Sequence, residues 1–420
     1  MTTAPPLFRP DRCRYFSPLP ADAWHVQPAP KTPVAHDGGP DYVCFMLWES
    51  ARKNWDAIRR ELAGRFTLLA DYELWWSDKH FKHNAYRLYG NALTRGSSDQ
   101  GATLAQKMGE APCRLLLMRD DDPDYSWERS VSGRIEPANR NATAAKKLFR
   151  SWSDTRFPVH SSTNVSECMF QCALALGPQR LRTCITEPDP EPRILEKDLE
   201  GAGGWPDWRA FFEVLNLCSD YIVMRSFEGL PEKLNDKDLD VLCADLPQFA
   251  AAGNILLNPE KLFKGKVRVG GETVPIDIRC IGDGYHDARW LKDLLDRKRT
   301  EDGVQVPAKD DYFFSLLYHA AAQKYEIKPE HRQRLLTMAR DLEFTWFDAK
   351  ALDDPHALSM ILAGYMVPPG SVYTRPNDRG VKDNKVVTEN LPKISGEPIT
   401  KFRRRIRKAR ERDSKAADAK

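Results

Sequence analysis

The sequence predicts an α+β protein of two domains, and three observations support this fold class. Apolar, strand-like segments alternate with segments of helical spacing in residues 41–178. A stretch rich in proline and acidic residues follows at 179–205. Beyond it, strand-like segments that carry acidic residues are succeeded by helical segments, which predicts a second, mixed sheet with a helical extension.

The composition is that of a globular protein with enough apolar residues for more than one core. The chain has 420 residues, of which 41% are hydrophobic and 29% charged, and its net charge is +3. This charge does not by itself indicate a nucleic-acid partner, and no apolar run approaches the ~20 residues that span a bilayer. The proline-rich leader, residues 1–40, lacks the apolar core of a signal peptide. Nine cysteines without a CxxC pair favour reduced thiols, so we expect a cytoplasmic protein.

The first predicted domain contains four strands and four helices. An apolar strand opens it, and the following helix has Trp55, Ile58 and Leu62 at helical spacing, with Gly64 as its stop. The strands are predicted at 42–48, 66–76, 113–118 and around Val159 and His160, and the remaining helices at 77–90, 141–152 and 165–176. This order predicts an antiparallel sheet covered by helices.

One segment of this domain resembles the active-site segment of nucleoside diphosphate kinases. It runs from Val159 to Glu167, where His160 matches the phosphorylated histidine of the family and Ser162 a motif serine. The resemblance implies a ferredoxin-like α/β sandwich and a catalytic His160. The lysine that the family carries on its first strand is absent, because that strand ends in Met46-Leu47-Trp48. Two alternatives are therefore kept: a fold that binds a nucleotide or partner without catalysis, and a structural histidine.

The stretch 179–205 is predicted to be a linker between the two domains. Its segment 187–193 alternates acidic residues with prolines, which favours an extended, solvated chain. The core of the second domain is predicted at 206–300.

The central motif of the second domain is the segment Lys237-Asp238-Leu239-Asp240-Val241-Leu242-Cys243. If it is a strand, Asp238 and Asp240 project to the same side. Two neighbouring carboxylates on an apolar strand are costly unless a cation lies between them, and Mg²⁺ or Mn²⁺ is the cation such oxygens prefer. A third acid, Asp277, lies on the strand-like segment 274–279. We therefore predict a metal site at these three acids; the alternative is an ordinary surface Asp-x-Asp.

This order of elements resembles the polymerase β-like nucleotidyltransferases, including fukutin-like and bacterial enzymes of surface-polysaccharide synthesis. The resemblance implies that Asp238, Asp240 and Asp277 hold the metal. It also implies that the loop after the first strand binds the nucleotide phosphates. The residues expected to contact the nucleotide are Arg225, Ser226, Gly229, Arg279, His319 and Lys324. For His319 the alternative is a hydrogen-bonded core residue. His286 is most simply a loop residue.

A helical extension is predicted at 301–370 and a polar, basic tail at 371–420. From Ile399 to Arg412 the tail places apolar residues on one helical face and Arg and Lys on the other. Such a helix binds an anionic membrane surface at the inner face of the membrane; nucleic-acid binding and a solvated end are the alternatives.

These observations predict a transferase of phosphorus-containing groups. The donor is a nucleoside triphosphate or a CDP- or UDP-activated compound, and the acceptor is a hydroxyl of a sugar, polyol or lipid in cell-envelope biosynthesis. Three alternatives are kept: an ATP-dependent kinase of a lipid or sugar hydroxyl, a non-catalytic interaction module, and a nucleotidyltransferase that acts on nucleic acid.

Overall fold

The structure is a computed structural model of the chain. It describes residues 34, 39–90, 108–109, 111–129, 135–153, 155, 158–258, 261, 263–366, 370–376 and 380–392. Most of the predicted leader, the loop at 96–99 and the basic tail from Ile399 to Arg412 lie outside these residues. The chain forms two compact units: Met1–Asp220, Gly229–Leu239 and Asp245–Asp277 in the first, and Tyr221–Glu228, Asp240–Ala244 and Ile278–Lys420 in the second.

The first unit contains a five-stranded sheet. The four strands and four helices predicted for residues 41–178 are confirmed. The strands of residues 39–196 are β1 Asp41–Leu47, β2 Thr67–Trp75, β3 Cys113–Asp120, β4 Tyr125–Arg129, β5 Ile135–Asn139, β6 Val159–Ser161 and β7 Asp189–Glu196. The helices are α1 Trp55–Ala63, α2 Phe81–Leu88, α3 Arg140–Arg150, α4 Val165–Leu176 and α5 Pro178–Thr186. The sheet order is β6-β1-β3-β2-β7, in which only β2 and β7 are parallel. The hairpin of β4 and β5 was not predicted.

Strand β1 is apolar throughout because it is covered on both faces. Its residues Val43, Phe45 and Leu47 share a buried cluster with Trp55 of α1 and Phe149 of α3. The alternate residues meet α4, where three buried thiols, Cys44, Cys168 and Cys172, contact one another. A continuous hydrophobic run is the pattern of such a doubly covered strand.

The segment predicted to be a linker is folded. Pro178 occupies the first turn of α5, where its missing N–H costs no hydrogen bond. The proline-rich segment is extended and exposed, as predicted, but it pairs with β2 as edge strand β7. Proline is tolerated on an edge strand because one row of its backbone groups has no partner strand to bond. The composition of the segment predicts that it is extended but does not predict that it pairs with β2.

The second sheet has the order β10-β11-β12-β9-β8. Its strands are β8 Tyr221–Val223, β9 Leu239–Cys243, β10 Leu256–Leu257, β11 Lys264–Val269 and β12 Glu272–Cys280; helices α6 Trp208–Cys218 and α7 Leu246–Ala252 belong to the first unit. Of these strands, β10 and β11 were not predicted. Because β9 begins at Leu239, Asp238 lies in the bend before the strand. The predicted projection of Asp238 and Asp240 to the same side assumed that both are strand residues, and for Asp238 that assumption is wrong.

The remaining helices belong to the second unit and confirm the predicted helical region. They are α8 Ala288–Asp296, α9 Lys309–Leu317, α10 Pro329–Asp341, α11 Ala349–Asp353 and α12 Pro355–Met366; a hairpin, β13 Arg299–Glu301 and β14 Val304–Val306, precedes α9. A π-helical turn, Tyr318–Ala322, continues α9. These helices share one apolar core. In the described part of the chain no helix is both long and apolar enough to cross a bilayer. The α+β class is confirmed.

Candidate functional site

The acid Asp240 of β9 is paired with an arginine. Arg225, in the loop after β8, donates from Nε and Nη2 to the two carboxylate oxygens, each at 2.7 Å. The pair is only partly shielded, since the Asp240 side chain is 15% exposed and that of Arg225 30%. Two parallel N–H···O⁻ bonds are the strong, directional arrangement of an arginine–carboxylate pair. The cation beside Asp240 is therefore a guanidinium.

The third predicted acid, Asp277, also lies against a cation. Lys264 is directly opposite it in the β11–β12 ladder, and the lysine Nζ lies 2.8 and 2.7 Å from the two carboxylate oxygens. Among the described residues, no three His, Cys, Asp or Glu side chains are placed to hold a metal ion. As placed, Asp238, Asp240 and Asp277 do not form a metal cradle, so we derive no step through a metal. The Mg²⁺ (or Mn²⁺) site stays a prediction.

The loop that carries Arg225 holds its next residue in an unusual conformation. Ser226 has a φ of 57°, a left-handed value that costs non-glycine residues energy. The Tyr312 side chain of α9 fixes the loop: its hydroxyl donates to Glu228 Oε1 at 3.0 Å, and its ring lies 4.8 Å from that of Phe227. Arg334 of α10 donates to the same hydroxyl at 3.0 Å. The loop is thus rigidly positioned, as a phosphate-binding loop must be.

Gly229 has a local packing reason for being glycine. A Cβ there would lie 2.4 Å from Asn235 Nδ2 and 2.6 Å from the carbonyl oxygen of Lys233. The tight turn from Gly229 to Lys233, closed by a 2.7 Å backbone hydrogen bond, explains the residue without a ligand. Its predicted phosphate contact stays a prediction.

Arg279, at the end of β12, borders a compact turn. Its guanidinium lies 3.5 Å from the ring centroid of Tyr285. Asp283 organises the turn from within: it is fully buried and accepts the N–H groups of Cys280 and Tyr285 at 3.3 and 2.8 Å. Burial raises the pKa of Asp283 to about 6, against the opposing charge of Arg279. His286 directly follows Tyr285, and its ring packs edge-on against aromatic side chains of the second unit.

His319 lies on the π-helical turn that follows α9. Its Nδ1 is 3.3 Å from Gln323 Oε1, and its ring centroid is 5.8 Å from that of His331 on α10. Lys324 comes two residues after this turn. Isolated π-helical turns occur often at functional sites because they re-aim side chains along a helix.

The positive charge of Arg225 acts on several histidines of the second unit. Burial lowers the pKa of His286 to about 3, followed in effect by the charges of Arg279 and Arg225. Burial also holds the pKa of His319 well below its ordinary value, and Arg225, Lys324 and His331 act in the same direction. Burial lowers the pKa of His331; Glu330 opposes this, and the weaker effect of Arg225 acts in the same direction as burial. The second unit thus brings together four predicted nucleotide contacts: Arg225, Arg279, His319 and Lys324.

Two members of this group, His331 and Gln323, were missed at the level of sequence. Gln323 is four residues after His319, so a helical i,i+4 pattern could have indicated the contact. The approach of His331 depends on how α10 packs against the π-helical turn, for which the sequence has no local signal. His286 was predicted to be a plain loop residue, but its ring packs within 5.3 Å of the ring centroids of Tyr285, Trp290 and Tyr318.

The predicted catalytic His160 lies in the first unit. It is 8% exposed on β6, with its Nε2 2.7 Å from Gln171 Nε2 and its ring 4.9 Å from that of Tyr89. Burial lowers its pKa to about 4. Ser162 accepts the N–H of Cys44 at 3.0 Å. Such contacts of His160 and Ser162 are typical of buried residues that stabilise the fold. Phosphorylation of His160 stays a prediction, which an acid-labile label from ATP, removed by His160→Ala, would support.

A scan against protein-family models, and searches of curated proteins and of solved structures, found no match to this chain.

Proposed function

We propose that the protein transfers a phosphoryl or nucleotidyl group from a nucleotide to a hydroxyl acceptor, with the nucleotide phosphates bound in the second unit. The observation that carries the proposal is the Arg225–Asp240 pair, set among Arg279, His319 and Lys324. Two arginines and a lysine near the Asp240 carboxylate suit a phosphate chain that must be bound beside a base.

The pair suggests how binding and chemistry are connected. A phosphate presents the same spacing of acceptor oxygens as a carboxylate, so it can replace Asp240 on the Arg225 guanidinium. Asp240 then has an oxygen free to accept the proton of an attacking hydroxyl. Arg279 and Lys324 would offset the charge that develops on the transferred group. Asp238 and Asp277 have no part in this step, and a metal held by the predicted acids stays a separate prediction.

The donor and acceptor classes rest on the resemblance to polymerase β-like nucleotidyltransferases. They are a nucleoside triphosphate or a CDP- or UDP-activated donor, and a sugar, polyol or lipid hydroxyl used in cell-envelope biosynthesis. In the first unit, the antiparallel order β6-β1-β3-β2 supports a ferredoxin-like arrangement. A cytoplasmic location and contact of the tail with anionic membrane belong to the same proposal, and flotation with anionic liposomes tests that contact.

Product analysis tests the function. The protein is incubated with the four nucleoside triphosphates, Mg²⁺ and a panel of sugar, polyol and lipid alcohols, and products are followed by ³¹P NMR. Pyrophosphate release with a new phosphodiester identifies nucleotidyl transfer, whereas a nucleoside diphosphate with a new monoester identifies the kinase alternative. We expect Arg225→Lys to lose most of the turnover. Arg289→Lys, an exposed arginine of α8, is the matched control. Lack of any phosphorus transfer by the wild type to the acceptor panel would count against the proposal.

A further inference from the structure

Three histidines of the second unit lie near enough to Arg225 to be affected by its charge, and Arg225 itself is paired with Asp240. His286, His319 and His331 come from three different elements: the turn after β12, the π-helical turn and α10. We propose that this group is a proton-linked anion site, in which binding of a phosphate dianion is coupled to proton uptake by His319 and His331. The proposal rests on the proposed function for the nature of the anion.

Several buried polar atoms of this group lack hydrogen-bond partners. Among the described residues, Nδ1 of His286, Nδ1 of His331 and Nε2 of Gln323 are buried without one. Turning the Gln323 amide over exchanges the unpaired atom but still leaves one, because the side chain is only 1% exposed. A buried polar group without a hydrogen-bond partner is energetically unfavourable. A bound anion would give these groups an acceptor.

The hydrogen bond to Gln323 selects which atom of His319 takes up a proton. With the Gln323 amide in its present orientation, its oxygen accepts, which assigns the hydrogen to Nδ1 of His319 and leaves Nε2 as the basic atom. Protonation at Nε2 makes the ring a cation with a donor on each nitrogen. Such a ring can donate to a phosphate oxygen without losing its contact with Gln323.

Most of the charged groups that act on the rings of His319 and His331 are positive. The segment 382–384, which bonds the backbone of Ala322 and Gln323, adds the carboxylate of Asp383, which accepts from Tyr373. His319 faces Arg225, Lys324 and His331. His331 faces the same arginine and also the charged residues Lys328, Glu330 and Arg334. Glu330 is the one carboxylate among these, while Asp240 is held by Arg225. His286 faces Arg279 and Arg225 and is packed among three aromatic rings, so we expect it to stay neutral.

A bound anion changes the protonation of His319 and His331. Without it, burial and the neighbouring cations keep the two rings neutral and their pKa values low. A bound dianion adds negative charge beside them and raises those pKa values. Since the bound state then holds more protons, affinity must rise as the pH falls between the free and bound pKa values. Each proton taken up strengthens binding about tenfold per pH unit within that window.

Calorimetric titration with sulfate tests this coupling, because sulfate remains a dianion over the whole range. At about pH 6 and about pH 8, titrations in two buffers of different ionisation heat give the number of protons bound with the anion. We expect net proton uptake by the wild type and tighter binding at the lower pH. His319→Gln should lower the uptake and flatten the pH dependence, and His319→Gln/His331→Gln should abolish both. His356→Gln, on the exposed first turn of α12, is the matched control and should behave as wild type.

Circular dichroism first establishes that each variant is folded. Sulfate binding without proton uptake, uptake that persists in the double variant, or no sulfate binding at either pH would each overturn the proposal. Proton-linked binding without any group transfer would support this site while contradicting the proposed function. Transfer accompanied by pH-independent binding would do the reverse.

Discussion

Asp240 and Asp277 are both neutralised by a neighbouring cation, but the two pairs differ in strength. Lys264 is 53% exposed, and an ion pair so open to solvent contributes at most about 1 kcal/mol. Arg225 and Asp240 form two aligned bonds in a more shielded position. Asp277 is thus the more easily recruited carboxylate, whereas Asp240 is released only when something replaces it on Arg225.

If a phosphate replaces the Asp240 carboxylate on Arg225, the substitution Asp240→Asn should strengthen anion binding. Without a carboxylate competitor, Arg225 should bind sulfate or tripolyphosphate about 3–30-fold more tightly in the absence of metal, while group transfer is lost. Calorimetric titration of both proteins measures this, with Asp293→Asn on α8 as the control. Weaker anion binding by Asp240→Asn would instead indicate that the carboxylate itself supports the site, and would contradict the exchange.

His160 predicts a pH dependence of stability in the first unit. Burial holds its pKa at about 4, below the ordinary 6.5, so the folded state binds this proton less readily than the unfolded state. This contribution is fully present above about pH 6.5 and is lost as the pH falls towards about pH 4, by as much as about 3 kcal/mol. Urea unfolding of His160→Gln should show a flatter acid limb than wild type, while His356→Gln should not. Equal acid limbs for His160→Gln and wild type would refute the assignment.

At the scale of elements, a buried arginine connects α2 to the end of α7. Arg87 is fully buried, and its guanidinium donates to the carbonyl oxygens of Ala251, Ala252 and Glu200 at 2.9, 3.2 and 2.9 Å. The last carbonyls of a helix have no partner within it, and they carry its negative dipole end. Arg87 therefore caps α7 from a distant part of the chain.

We expect Arg87→Met to destabilise the first unit by about 3 kcal/mol, because two buried carbonyl groups and a partly buried one lose their donor. The substitution keeps an unbranched apolar stem and removes the guanidinium with its charge and donors. Urea unfolding provides the measurement, and Arg182→Met on the exposed side of α5 is the control. A loss no larger than that of the control would show that water or neighbouring groups satisfy the carbonyls.

At the scale of the whole molecule, α6 and α7 belong to the first unit although they follow the predicted linker. Cys218 of α6 lies 3.7 Å from the carbonyl oxygen of Phe170 on α4, and Arg87 holds α7. A fragment of residues 206–420 loses these partners and exposes the buried aromatic side chains of α6, including Phe211 and Phe212. We expect it to bind a hydrophobic dye and to show weaker near-UV circular dichroism per aromatic residue than the full chain. A cooperatively folded fragment would instead support a boundary at 179–205.

The sequence predicted the elements whose signal is local. Helix α4 was predicted with its observed limits because Gly177 ends an apolar run, and Asn164 caps its first turn. Strand β11 was missed although Val267 and Val269 alternate with charged residues, which is a readable strand pattern. The pairing of β7 with β2 and the approach of His331 to His319 could not be predicted, since both depend on contacts between distant segments.

The central claim is that Arg225 and its neighbours bind the phosphates of a nucleotide. Calorimetric titration of the four nucleoside triphosphates, with Mg²⁺, into wild type, Arg225→Lys and the control Arg289→Lys tests it most directly. Lysine keeps the charge but cannot form two parallel bonds, so we predict that at least one triphosphate binds and that Arg225→Lys weakens it about tenfold or more. Arg289→Lys should match wild type. Binding of no triphosphate, or equal binding by Arg225→Lys and wild type, would contradict the claim.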